Sequence, residues 1–180
     1  MILGERVYLR AVELTDLDSC VRWMNDAEVT GFLATGVFPI SRLAEQGWLE
    51  RAARAESPTN RNFAVCLIDG DRHIGNAGLH SIDWLSGVAE LGIMIGEKDC
   101  WNQGYGTDVV RTLTTFAFRQ AHLRKVFLRV FSHNQRAIRC YEKCGFRHEG
   151  RLSAQVFKDG RYVDEILMGL FAPGREPDGR

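Results

Sequence analysis

The chain has 180 residues, 45% of them apolar and 26% charged, with 23 Lys plus Arg against 23 Asp plus Glu. That length suits one packed domain, and that composition excludes a disordered chain. The charge balance argues against nonspecific nucleic-acid binding and against a membrane-surface role, no apolar run approaches the roughly 20 residues of a membrane span, and residues 1–10 lack the basic-then-apolar order of a secretory leader.

Residues 7–11 read as a first strand. Thr15 and Asp16 look like a helix start, with Leu17, Cys20, Val21 and Met24 following at helical spacing. A second helix is predicted over 41–55, with Ser41 as its N-cap. Residues 63–68 form a strand run, Asp69-Gly70-Asp71 a turn, and a second strand leaves from His73, so the two make a hairpin. A further strand covers 87–96, with Leu91, Ile93 and Ile95 on one face and Glu90 on the other. The segment 101–107 is a short loop with two glycines that runs into an apolar-periodic helix carrying Val110, Leu113, Phe116 and Ala117. Residues 126–131 are a strand and 134–144 a helix ended by Gly145, the position that favours positive φ. Two last strands, from Phe146 and over 162–171, are joined through Asp159-Gly160. The order is strand, two helices, three strands, helix, strand, helix, two strands: an α/β (α+β) fold with a mixed sheet flanked by helices. A single domain over 1–171 is expected, with a frayed tail over 172–180.

The five cysteines, Cys20, Cys66, Cys100, Cys140 and Cys144, are odd in number and scattered, with no CxxC pair. This predicts neither a disulfide framework nor a zinc site, and it fits a reducing cytoplasm. Cys140 and Cys144 share a helix face and read as small apolar residues.

Two segments carry chemistry. At Gly104 a loop rich in backbone freedom meets a helix N-terminus, where unpaired N–H groups and partial positive charge suit a phosphate or pyrophosphate. Val109 stands where a dinucleotide fingerprint needs a third glycine, and the Gly-Lys-Ser/Thr of a P-loop is absent. Taken alone, the two glycines equally fit a tight turn. The second segment places Asn134, Ala137, Ile138 and Tyr141 on one helix face. Asn134 fits an N-cap, which does not exclude a ligand contact. Tyr141 fits a core aromatic, or a phenol at a cleft mouth able to give a thiol a proton.

Taken together, residues 89–96, the loop 101–107 and the run NQRAIRCYEKCGF from Asn134 to Phe146 resemble the GNAT acetyltransferase superfamily. The likeness is greatest to the ribosomal-protein N-terminal acetyltransferase group and its polyamine and amino-sugar acetyltransferase relatives. It extends to Tyr8-Leu9-Arg10 and to Trp23-Met24-Asn25-Asp26, and so covers nearly the whole chain. The loop departs from the superfamily's usual Arg or Gln at Trp101, a residue common in this group.

The resemblance implies a mixed, mostly antiparallel sheet of about seven strands with about four helices, whose central strands splay apart. The pantetheine arm of acetyl-CoA would lie in the gap and bond the backbone of Ile93, Met94 and Ile95. The amides of Gln103, Gly104, Tyr105, Gly106 and Thr107 would hold the pyrophosphate. Asn134 would bond the pantetheine arm, and Lys143 would sit near a phosphate unless it is simply solvated. The implied activity is direct transfer of an acetyl group to a primary amine: a protein N-terminus, a polyamine, an amino sugar or an amino acid. Tyr141 would protonate the leaving thiolate, and Glu90 would take the amine's proton directly or through water. A structural hydrogen bond is the alternative for Glu90, and His80 and Asp83 are second choices for the base. The acceptor pocket would draw on the first two helices and the last hairpin, with Phe32, Phe38, His80, Asp83, Trp84 and Phe157 as candidates. A covalent acetyl-cysteine route is disfavoured, because Cys140 falls on another helix face from Tyr141. A non-catalytic domain that binds acyl-CoA is the rival function. No metal, nucleic acid or membrane partner is implied, and a homodimer rests on the resemblance alone.

Overall fold

The computed structural model describes residues 1–34 and 38–177. Its elements run β1 (Ile2–Leu3), β2 (Val7–Ala11), α1 (Leu17–Met24), α2 (Ala27–Thr30), α3 (Arg42–Ala53), β3 (Arg61–Leu67), β4 (His73–Asp83), β5 (Val88–Ile95), α4 (Tyr105–Arg119), β6 (Lys125–Phe131), α5 (Gln135–Lys143), β7 (Arg147–Lys158) and β8 (Arg161–Phe171). One eight-stranded sheet takes the order β1-β2-β3-β4-β5-β6-β8-β7. Every neighbouring pair is antiparallel except β5 and β6.

The sequence-based expectation of about seven strands and about four helices gains one short element of each kind. β1 has two residues and α2 has four, too few for any periodicity to register. A local signal did exist for α2: the Asp26 side chain caps it by accepting from the Glu28 amide at 2.9 Å. Ser41 caps α3 as expected, accepting from the Ala44 amide at 3.1 Å. Asp159 and Gly160 both take positive φ, as a two-residue hairpin turn requires. Of the tail expected over 172–180, residues 178–180 lie outside the described residues, and 172–177 form neither helix nor strand.

Alternation along the strands divides the sheet into two faces. Val7, Leu9, Val65, Leu91, Val126, Leu128 and Val130 pack with Val110 and Leu113 of α4 and Ile138 and Tyr141 of α5. Their neighbours Tyr8, Ala64 and Cys66 pack with Leu17 and Leu49 beneath α1 and α3. Glu90, Met94 and Arg129 therefore belong to the α1–α3 face, and Met94 packs against the cluster that includes Cys20 and Trp23.

The feature that makes a site is a break in the ladder. β5 pairs with β6 only at Val88–Lys125, Ala89–Val126 and Glu90–Phe127, yet β5 continues to Ile95 and β6 to Phe131. The two strands part at Glu90, and the gap passes through the sheet from one face to the other.

Candidate active site

The gap opens into a cleft of about 460 Å³. Ile93, Met94 and Ile95, the backbone that the resemblance assigns to the pantetheine arm, line it on the β5 side. The Ile95 carbonyl is not free, however: it accepts the indole N–H of Trp101 at 2.7 Å. Trp101 also carries the Arg136 guanidinium 4.6 Å above its ring, so this residue pins the loop to the strand.

At the loop's end Gly104 takes φ +87° and serves as the N-cap of α4. With no side chain at the cap, the first amides of α4 have no capping partner and remain donors for a ligand. Gly104, Gly106 and Thr107 line the cleft. The side chains of Gln103 and Tyr105 do not. The Gln103 amide donates to the Asp99 carbonyl, its own carbonyl accepts from Arg6 Nη1 at 2.7 Å, and the Tyr105 ring lies 4.1 Å under the same guanidinium. Asp108, in the first turn of α4, does not cap the helix. Its carboxylate instead accepts the amides of Glu5, Arg6 and Val7 at 2.7 to 3.1 Å and ties α4 to the β1–β2 turn.

On the opposite wall, Asn134 caps α5 through Oδ1, which accepts from the Ala137 amide at 3.2 Å. The cap leaves Nδ2, on the cleft, as a donor. Tyr141 is buried against Phe146 and lines the same cleft. Burial holds its phenol protonated well beyond the ordinary range, and Cys140 and Cys144 add to this. Lys143 lines the cleft as well, together with Arg136 and Arg139, which sequence reasoning missed. The signal was present: 136, 139, 140 and 143 share one helical stripe.

Glu90 and Arg129 enter the cleft from the other face of the sheet. Arg129 Nε donates to Glu90 Oε1 at 2.9 Å and Nη2 to Oε2 at 3.2 Å. No local pattern in the chain signals this clamp, whose partners stand 39 residues apart. His80 sits opposite Glu90 on β4 but does not line the cleft; its ring fills the space over Gly78 and Gly92. Burial lowers its pKa and outweighs the nearby Glu90, which favours the neutral ring.

Two acceptor candidates need correction. Asp83 accepts the amides of Leu85 and Ser86 at 2.9 Å each, and Trp84 donates to the Pro58 carbonyl at 3.0 Å. Asp83 closes the β4–β5 turn and Trp84 ties that turn to the segment before β3, both at the opposite end of β5 from the gap. Phe32 does line the cleft, whereas Phe38 and Phe157 border a separate hollow beside Lys158. Cys140 is also corrected: it lines the cleft with Tyr141, its Sγ 3.3 Å from Thr107 Oγ1. Among the described residues no cluster of His, Cys, Asp or Glu could hold a metal ion, and no helix is long and apolar enough to cross a membrane.

This geometry agrees with known proteins. The family pattern described as "Acetyltransferase (GNAT) domain" matches residues 6–147. An N-acetyltransferase of Bacillus licheniformis, p20, is 28% identical over 92% of this chain and 93% of its own length. A spermidine N(1)-acetyltransferase of Vibrio cholerae is 32% identical over 53% of this chain and 54% of its own. The crystal structure of a Vibrio cholerae spermidine N-acetyltransferase with CoA and spermine superposes with TM-score 0.83 at 26% identity, covering 93% of this chain and 96% of that one. A ribosomal L7/L12 alpha-N-protein acetyltransferase in complex with CoA reaches TM-score 0.84 at 15% identity, over 93% and 95% of the two chains, a likeness of fold. The chain belongs to the GNAT acetyltransferase family and is an N-acetyltransferase.

Proposed function

We propose that the enzyme binds acetyl-CoA through the sheet gap and transfers its acetyl group directly to a primary amine. One observation carries this reading: the parting of β5 from β6 lies beside an uncapped helix N-terminus, with Tyr141 across the gap. The amides of α4 receive the pyrophosphate. Arg136, Arg139 and Lys143, on the same side as α4, face the remaining phosphate charge. The backbone of Ile93 and Met94 and the Asn134 Nδ2 hold the pantetheine arm.

The arm then delivers the thioester to the level of Tyr141, and the acceptor approaches from the α1–α3 face. Holding the two reactants side by side supplies much of the acceleration. The neutral amine attacks the thioester carbonyl, a β5 amide near Ile93 stabilises the oxyanion, and the C–S bond breaks as the Tyr141 phenol gives its proton to the sulfur. Each Glu90 oxygen accepts one bond from Arg129 and keeps a further lone pair, through which the carboxylate receives the amine's proton by way of water.

The test is calorimetric titration with acetyl-CoA, with Asn134→Ala as companion, followed by thiol release with a panel of amines. Saturable binding at one site, weakened in the variant, supports the reading. A folded protein that fails to bind millimolar acetyl-CoA overturns it.

A further inference from the structure

Acetyl-transfer accounts for most of the charged cleft, but not for Arg129. Among the described residues the cleft is lined by four cations, Arg129, Arg136, Arg139 and Lys143, and by one carboxylate, Glu90. Three of the cations belong to α5, next to the N-terminus of α4. Arg129 differs. It sits on β6 at the point where the strands part, on the α1–α3 face, away from the phosphate end.

Its guanidinium is held by one edge. Nε and Nη2 are bonded to Glu90, and Nη1 has no partner among the described residues. The side chain is 46% exposed. The clamp fixes the plane and leaves the end of the fork, Nη1 with the second Nη2 hydrogen, to a ligand. A planar pair of N–H donors matches a carboxylate in geometry and charge. Glu165 on β8 adds to the negative field that holds Arg129 charged, but it is buried and does not line the cleft.

A polyamine fits this arrangement badly. Its additional ammonium groups need carboxylates, and the one carboxylate of the lining is already bonded to a guanidinium that would repel them. Spermidine acetyltransferases are among the relatives, which makes spermidine the acceptor to compare against.

We propose that the acceptor is a small primary amine that carries a carboxylate, as a free amino acid does, and that Arg129 is the specificity-determining residue that binds this carboxylate through the fork edge Glu90 leaves open. The proposal rests on the acetyltransferase reading above. No covalent step is added: the carboxylate is held, and the amine attacks as already described.

The experiment measures kcat and KM for free amino acids, for the matching amino-acid amides and for spermidine, by thiol release, in the wild type, Arg129→Gln and Arg129→Lys. Acetyl-CoA affinity is measured on the same preparations. The expected result is a preference for free acid over amide of about tenfold or more in kcat/KM, collapsing in Arg129→Gln mainly through KM and partly restored in Arg129→Lys. A better kcat/KM with spermidine or the amides overturns the proposal. So does a free-acid preference that survives Arg129→Gln, or intact acetyl-CoA binding with no amino acid used. Loss of acetyl-CoA binding in the wild type instead defeats the acetyltransferase reading, so the two failures are distinguished.

Discussion

The indole N–H of Trp101 donates to the carbonyl of Ile95 at 2.7 Å, which joins the loop that opens α4 to the strand that borders the gap. The same ring supports Arg136. Trp101→Phe keeps a face for the guanidinium and loses one hydrogen bond. It should weaken acetyl-CoA binding by about 1 kcal/mol, roughly fivefold in Kd, and Trp101→Ala should cost more, both read by calorimetry.

In the mechanism proposed above Tyr141 gives up a proton and carries no charge beforehand, because burial keeps its phenol neutral. Tyr141→Phe should leave acetyl-CoA affinity nearly unchanged and lower kcat by about a hundredfold or more, the range for loss of a general acid. Unaltered turnover in single-turnover assays would remove the phenol from the mechanism.

Cys140 lies against Thr107 and beside the first turn of α4. The Cys144 thiol, above all, stabilises its thiolate; burial opposes this, while Thr107, Lys143 and Arg111 support it, and its pKa falls below that of an ordinary thiol. Cys20, Cys66 and Cys100 are pushed the other way by burial. Iodoacetamide at neutral pH should therefore modify Cys140 before those three, and acetyl-CoA should protect it. Peptide mass mapping with and without ligand decides the matter.

Asp16 anchors a buried ionic group behind the site. Burial raises its pKa, but the two bonds from Arg10 at 2.7 and 2.8 Å, with His73 and the Glu13 amide, outweigh burial and hold its carboxyl well below the usual range. A depressed folded-state pKa contributes stability that is fully present above the unfolded value of about 3.9 and is lost as pH falls through the folded value. Asp16→Asn should lower stability at pH 7 by about 3 kcal/mol, since it strands Arg10. Its melting temperature should also fall less steeply than the wild type's below about pH 4. Thermal unfolding across pH 2 to 8 tests both statements.

The parts of the fold written in local patterns were legible. The glycine before α4, the Asn134 cap and the Gly145 stop are signals confined to a few residues, and they marked the ends of the two helices that wall the cleft. Arg129 was not legible, since its partner Glu90 stands 39 residues away and they meet only through the register of β5 on β6. Asp83 and Trp84 misled because their partners lie away from the cleft. Polar and aromatic residues near a strand end look like site residues, but amides of its own turn satisfy Asp83, and the Pro58 carbonyl, 26 residues back, satisfies Trp84. Cys140 was misplaced because a helical wheel assumes a flat wall, whereas this cleft wraps around α5 and reaches residues 140 and 141 together.

The three-rung seam between β5 and β6 has a mechanical consequence. Among the described residues this seam, continued by the amides of Arg124 and Lys125 donating to the Gly87 carbonyl, is the strand pairing that joins a five-stranded half of the sheet to a three-stranded half. On the proposed reading, a cofactor arm laid along β5 in the gap would act as a splint across this seam. By linkage, whatever free energy that splint contributes to holding the halves together appears equally as affinity for the ligand.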